Sequence, residues 1–175
     1  MAKKVAVMVL NPVNGFGLFQ YLESFFENGI PYKTFAVADS KEVKANSGVT
    51  LIVDDVIANL KGHEDEFDAL VFACGDAIPK FTENAGKSYN QDMLAVVKVF
   101  ADKGKLLIGH CAAALIYDKV GVIDGKKVAI HPYGKPAVQK GIATDTAYEV
   151  DGNVYTAQTE NTLAELMPEV LKVLK

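Results

Sequence analysis

LLIGHCAAAL, residues 106–115, changes character in its middle. Leu106, Leu107 and Ile108 are residues of a strand buried on both faces, whereas Ala112, Ala113 and Ala114 favour helix. No turn residues separate the halves, so Cys111 stands on a direct strand-to-helix corner. Such a corner needs small neighbours, supplied by Gly109 and the alanines, and puts the cysteine in an unusual backbone conformation. A strand running straight into a helix is half of a crossover unit, the building block of a parallel sheet.

The same alternation extends in both directions. VAVMVL (5–10) is a buried-strand run, and GLFQYLESFFENG (17–29) sets Leu18, Leu22, Phe25 and Phe26 on one helical face, with Gly29 as the stop. YKTFAVA (32–38) reads as a strand, and GVTLIVDDVIANL (48–60) as a short strand or hairpin projecting from the main sheet. DALVFACG (68–75) is a second clear buried strand and NQDMLAVVKVFADKGK (90–105) an amphipathic helix ending near Gly104. Beyond the corner, DGKKVAIHP holds a short strand, GKPAVQKG a short helix or turn, and YEVDGNVYTA a hairpin about Asp151-Gly152. ENTLAELMPEVLKVLK closes the chain as a helix begun or interrupted at Pro168. The pattern predicts an α/β fold: a three-layer α/β/α sandwich on a flavodoxin-like, mostly parallel sheet with helices on both faces. With no repeat, linker or low-complexity tract, residues 1–175 read as a single domain.

The chain has 175 residues, 50% of them hydrophobic and 23% charged, with mean hydropathy +0.13. These are the proportions of a compact protein whose core needs no disulfides. Its 18 basic and 22 acidic residues leave a net charge of -4 with no basic cluster, which argues against a nucleic-acid surface. Two lysines precede the first apolar run, but Asn11-Pro12 ends it too early for a signal peptide, and no run approaches the ~18 to 20 residues of a membrane span. Two cysteines far apart in sequence then imply free thiols in a reducing cytoplasm. No cofactor and no metal are expected.

In an open parallel sheet, ligands gather outside the carboxyl ends of the strands. The residues delivered there are the Asn11–Phe16 loop with Asn14, then Cys74-Gly75-Asp76, then His110-Cys111-Ala112. A thiol at a helix start feels the positive end of the dipole, which favours the thiolate over the ~3% ionised at pH 7 for an unperturbed thiol. The Ala112 N–H beside the sulfur, with Cys74-Gly75 from the next strand end, makes a candidate oxyanion hole. The competing reading of Cys111 is a small buried hydrophobe. Asp76 is either a pocket acid or a helix cap, and His63, in KGHEDEF, reads as solvated. Adjacent residues of a strand point to opposite faces, so His110 is expected to face away from Cys111.

Strand-Gly-x-Cys-helix, followed by VGVIDGKKVAIHP, a DGN hairpin and a final amphipathic helix, resembles the ThiJ/PfpI (DJ-1-like) superfamily, related to the class I glutamine amidotransferases. The resemblance runs from KKVAVMVL to the last helix. It implies that Cys111 is the elbow cysteine, that Cys74-Gly75 stands where many members have Gly-Gly for the oxyanion hole, and that His131-Pro132 matches a His-Pro near the cysteine of some members. Many members keep a glutamate that hydrogen-bonds the cysteine; Gly17 occupies its place. Protease-like members have a histidine after the cysteine, where this chain has Ala112, and the amidotransferase His-x-Glu pair is absent. His131 is then the best candidate base, or else a structural donor. Glu160, before the last helix, is either a stand-in for the lost carboxylate or a helix N-terminal acid near Thr159. The resemblance also implies a homodimer.

Three activities fit these residues. In the first, the Cys111 thiolate attacks a small carbonyl compound, in the manner of a glyoxalase or deglycase. In the second, Cys111 senses an oxidant without turnover. In the third, the protein is a cysteine hydrolase acting on peptides or amides, with His131 as base. A flavodoxin-like strand order would also set the strands ending at Cys74 and His110 ~4.8 Å apart, within the ~4.4 to 6.8 Å Cα range of a disulfide, so Cys74 is a candidate resolving thiol.

Overall fold

The computed structural model describes residues 1–175. In chain order the elements are β1 (Val5–Val9), α1 (Gly15–Glu27), β2 (Tyr32–Ala36), β3 (Glu42–Lys44), β4 (Thr50–Ile52), β5 (Asp55–Val56), β6 (Ala69–Ala73), α2 (Phe81–Asn84), α3 (Ser88–Asp102), β7 (Leu106–His110), α4 (Ala113–Val120), β8 (Lys127–Ala129), β9 (Ile142–Thr144), β10 (Tyr148–Asp151), β11 (Val154–Ala157) and α5 (Leu163–Leu174). The main sheet has seven strands in the order β10-β11-β7-β6-β1-β2-β5. All its pairings are parallel except β10 with β11, the hairpin turning at Asp151-Gly152. This is the expected mostly parallel sheet with a helical layer on each face.

Two apolar cores separate the layers. Leu70 and Phe72 of β6, and Cys74 just beyond its end, pack with α3 and α4 through Met93, Val96, Phe100, Ala113 and Tyr117. The residues between them, Ala69, Val71 and Ala73, pack with α1 and α5 through Leu18, Tyr21, Phe25, Leu166 and Val170. β1 and β6 are fully buried along their length, which is why their sequences read as unbroken apolar runs. No helix is long and apolar enough to cross a membrane.

Three local expectations need correction. The inward stripe of α1 is Leu18, Tyr21 and Phe25; Phe26 is 76% exposed, because it lies about 100° of helix rotation from the centre of that stripe. The projecting hairpin pairs β4, inside the 48–60 run, with β3, which lies before it, while β5, also in the run, joins the main sheet as its edge beside β2. Glu42-Val43-Lys44 presents one buried residue between two exposed charged ones, too short a pattern to read as a strand. The last helix passes through Pro168 and begins at Leu163. The chain leaves β1 toward β2 on one side, while β6 and β7 lie on the other, so the strand order reverses between β1 and β6. That reversal opens a crevice at the carboxyl ends of β1, β6 and β7.

Candidate active site

A cavity of about 590 Å³ occupies the crevice. Its lining includes Asn14 from the β1 end, Cys74, Gly75 and Asp76 from the β6 end, and His110, Cys111 and Ala112 from the corner after β7. His131 and Glu160 close it from two later loops. Nine of the ten residues singled out from sequence therefore meet at one place, and the tenth, Gly17, packs directly behind His110.

The corner has the conformation its sequence requires. Cys111 has φ 57°, and it is the one non-glycine residue with positive φ. That region costs an L-residue roughly 1 to 2 kcal/mol. Two backbone bonds hold the residue there: its N–H donates to the Ala157 carbonyl at 3.1 Å, and its carbonyl accepts from the His131 N–H at 3.2 Å. The second bond also explains how His131, twenty positions later, arrives at the site. Gly109 permits the tight turn into α4, since a Cβ there would lie 2.6 Å from the Ala113 Cβ. Gly75 is required for another reason: its Cβ would lie 2.2 Å from the Pro12 carbonyl oxygen, so only glycine lets the β6 end pass under the β1 loop.

The two thiols influence one another's ionisation. The Cys74 thiol donates toward the Cys111 sulfur, and this is the main influence holding the Cys111 pKa below the ordinary thiol value. Burial and the carboxylates of Glu160 and Asp76 oppose it, while the Ala112 N–H reinforces it. The Cys74 pKa is pushed up by the same bond and by burial. Of the two, Cys111 is therefore the thiol that ionises more readily and the nucleophilic partner. The larger support comes from the neighbouring thiol, where the sequence suggested only a helix end. The Ala112 N–H lies against both sulfurs and the Gly75 N–H against Cys74, and neither donates to a backbone carbonyl.

His110 follows the alternation of its strand: its ring enters the α1 layer beside Tyr21, and the residue also forms part of the cavity lining. Its Nδ1 is 3.1 Å from the Tyr21 hydroxyl. Burial keeps Tyr21 protonated and pushes the His110 pKa down to about 4, so the ring is neutral at pH 7. Either the Tyr21 hydroxyl or the ring Nδ1–H donates in this bond, according to the tautomer of the neutral ring. The ring Nε2 is the one buried side-chain nitrogen or oxygen without a partner. A Cβ at Gly17 would lie 2.5 Å from it. The imidazole therefore fills the space that any side chain at position 17 would enter, and the carboxylate that the resemblance puts there has no room.

The remaining predicted groups divide differently. The backbone carbonyl of Glu160 accepts from Gln20 Nε2 at 2.9 Å, and its carboxylate acts on Cys111 as a like charge that disfavours the thiolate. It does not replace a hydrogen-bonding glutamate. Asp76 caps no helix, because α2 begins five residues later behind Lys80. His131 Nδ1 accepts from the Tyr133 N–H at 3.3 Å and its ring stacks on Tyr133 at 5.2 Å. A neutral ring so placed carries its proton on Nε2 and is a donor. His63 is exposed, with its Nδ1 3.0 Å from Glu66, as its charged surroundings suggested. Asn46 escaped sequence reasoning: it comes from the β3–β4 hairpin, lines the cavity and accepts the Asp76 N–H at 3.2 Å. Tyr21 escaped it too, although its place three residues after Leu18 was a usable signal. No group of three or more His, Cys, Asp or Glu is gathered as a metal site would require.

Comparison with known proteins gives a consistent result. The model of the DJ-1/PfpI family matches residues 3–173. Protein ppBat of Bacteroides thetaiotaomicron is 65% identical over 175 residues, covering 100% of both chains. A crystal structure from the same organism, provisionally named protease I, superposes with a TM-score of 0.98 at 64% identity, covering 99% of this chain and 100% of that one. Drosophila melanogaster DJ-1beta has a TM-score of 0.85 at 22% identity, covering 99% of this chain and 91% of its own, a likeness of fold.

Proposed function

The chain belongs to the DJ-1/PfpI family, and we propose that Cys111 is its nucleophile, acting on a small carbonyl compound such as a 2-oxoaldehyde. One observation carries this reading: a thiol favoured as thiolate stands at a strained corner on the floor of a cavity, beside two N–H groups without carbonyl partners. The Cys111 sulfur adds to the aldehyde carbon and the C=O electron pair moves onto oxygen. The Ala112 and Gly75 N–H groups receive that oxyanion. The proton that completes a hemithioacetal comes from water or from a neighbouring donor, for which Cys74 and the His131 Nε2–H are both on the lining. Glu160 and Asp76 give the mouth negative character, which suits a neutral carbonyl better than an anionic one.

The hydrolase reading draws on the name of the B. thetaiotaomicron structure, but it needs a base aligned with Cys111. His110 is engaged with Tyr21 in the other layer, and the His131 Nδ1 lone pair is taken by Tyr133 N–H. This geometry favours addition to a carbonyl over proton transfer from the thiol by an imidazole. Intact-protein mass spectrometry after exposure to methylglyoxal tests the reading. The expected result is a single adduct that maps to Cys111 and disappears in Cys111→Ala. Modification confined to lysines, with Cys111 free, would end it.

A further inference from the structure

Cys74 is only 1% exposed, yet its sulfur faces the one other cysteine of the chain. In the β6–β7 register Val71 lies opposite Ile108 and Phe72 opposite Gly109. Carried two residues past this last pair, just beyond both strand ends, the same register sets Cys74 level with Cys111. Parallel neighbours are ~4.8 Å apart, inside the ~4.4 to 6.8 Å Cα range of a disulfide. Alternation puts both side chains in the same layer: Leu70, Phe72 and Cys74 belong to the α3/α4 core, and Cys111 packs against that same core. His110, between Gly109 and Cys111, takes the opposite layer. Cys111 is partly exposed and Cys74 is buried, and both belong to the lining of the same cavity.

We propose that Cys74 and Cys111 form a two-thiol site that reduces a peroxide and closes as an intramolecular disulfide. The Cys111 thiolate attacks one oxygen of a hydroperoxide. An S–O bond forms as the O–O bond breaks, the sulfur gives up two electrons, and the second oxygen leaves as hydroxide or alkoxide and takes up a proton. The Cys74 sulfur then attacks the Cys111 sulfenic acid, forming S–S and breaking S–O. The thiol proton of Cys74 leaves with the hydroxyl as water, so hydrogen peroxide yields one disulfide and two waters per chain. The Gly75 and Ala112 N–H groups lie against Cys74 and stabilise the charge that grows on it as it attacks. The two cysteines already stand together, one on the cavity lining beside the other and both packed on the same core, which is the starting geometry for that attack.

This inference rests on the same reactive Cys111 as the carbonyl reading, and the two can fail separately. Wild-type protein is treated with hydrogen peroxide near stoichiometry, denatured in the presence of iodoacetamide without reductant, digested and mapped. The expected result is loss of both free thiols per chain, a crosslinked Cys74–Cys111 peptide at the mass of a single chain, and recovery of both thiols with dithiothreitol. In Cys74→Ser, dimedone should trap Cys111 sulfenic acid that wild-type protein does not accumulate. If peroxide takes Cys111 to sulfinic acid while Cys74 remains fully alkylated after denaturation, the proposal is overturned, and this measurement needs no variant to fold. A methylglyoxal adduct without the crosslink overturns the disulfide alone; the crosslink without an adduct overturns the carbonyl reading alone. A Cys111 inert to both reagents overturns both.

Discussion

Gly17 and His110 give the sharpest test of how this site differs from the pattern its family resemblance implies. A methyl group added at position 17 would lie 2.5 Å from His110 Nε2 and 2.8 Å from Cε1, and the ring it meets is buried and held by Tyr21. Forcing such a contact costs about 1 to 3 kcal/mol. Replacing glycine by alanine in a helix returns up to about 1 kcal/mol, a gain that Gly17, in the first turn of α1, should largely realise. Gly17→Ala should therefore destabilise the wild-type protein by roughly 0 to 2 kcal/mol. In a His110→Ala background the obstruction is gone, and the same change should stabilise by up to about 1 kcal/mol. The coupling between the two positions is thus about 1 to 3 kcal/mol, well above the few tenths expected of independent sites. Urea unfolding of the four proteins measures it as a difference in midpoints at constant slope. With a slope of about 2 kcal/mol/M, the effect of Gly17→Ala should differ between backgrounds by roughly 0.5 to 1.5 M. An equal rise in midpoint in both backgrounds would refute the claim that the imidazole occupies the space at position 17.

Three further outcomes follow from other contacts. Because the Cys74 hydrogen bond is the main cause of the lowered Cys111 pKa, Cys74→Ala should move the midpoint of the pH–rate profile for iodoacetamide alkylation upward, whereas Glu160→Gln, which removes an opposing charge, should move it downward. At the positive-φ corner, Cys111→Gly should be more stable than Cys111→Ala by roughly 0.5 to 1 kcal/mol, the relief of backbone strain less the entropy of glycine, read from thermal or urea unfolding. Asp118 on α4 accepts the N–H groups of Gln139, Lys140 and Gly141 at 2.9, 2.9 and 2.8 Å. Burial works against its charge, but these bonds prevail and hold its pKa below the ordinary value. Its contribution is therefore complete above the unfolded-state pKa of ~3.9 and is lost as pH falls through the lower folded value. Asp118→Ala should cost about 2 to 4 kcal/mol at pH 7, and that deficit should shrink on acidification below pH ~4, as measured by unfolding across pH.

Much of the architecture was legible in the chain because burial leaves a one-dimensional trace. β1 and β6 are covered on both faces and read as apolar runs, β7 breaks into α4 without a turn, and Asp151-Gly152 marks the hairpin. Where burial is brief the trace fades: β3 buries only Val43, so β4 can be read from the sequence but its partner strand cannot. The helix face of α1 was read with Phe26 in place of Tyr21, and with that error the partner of His110 was lost. The site itself was largely legible for a topological reason. A parallel sheet delivers the residues following each strand to one edge, so Asn14, Cys74-Gly75-Asp76 and His110-Cys111-Ala112 had to converge once the strands were recognised.

What the sequence determined alone was the corner: an apolar strand, a cysteine and a run of alanines with nothing between them admit one local geometry, and that geometry belongs to a parallel sheet with crossover helices. What tertiary structure decided was the chemistry around the sulfur. The Cys74 thiol favours ionisation of Cys111 over its own, Glu160 acts on Cys111 as a repelling charge, His131 is turned into a donor, and His110 fills the space above Gly17. Periodicity records which way a side chain faces, because that depends on its own strand or helix. Protonation and hydrogen bonding depend on which atoms from distant segments come within about 3 to 4 Å, and no spacing along the chain encodes that.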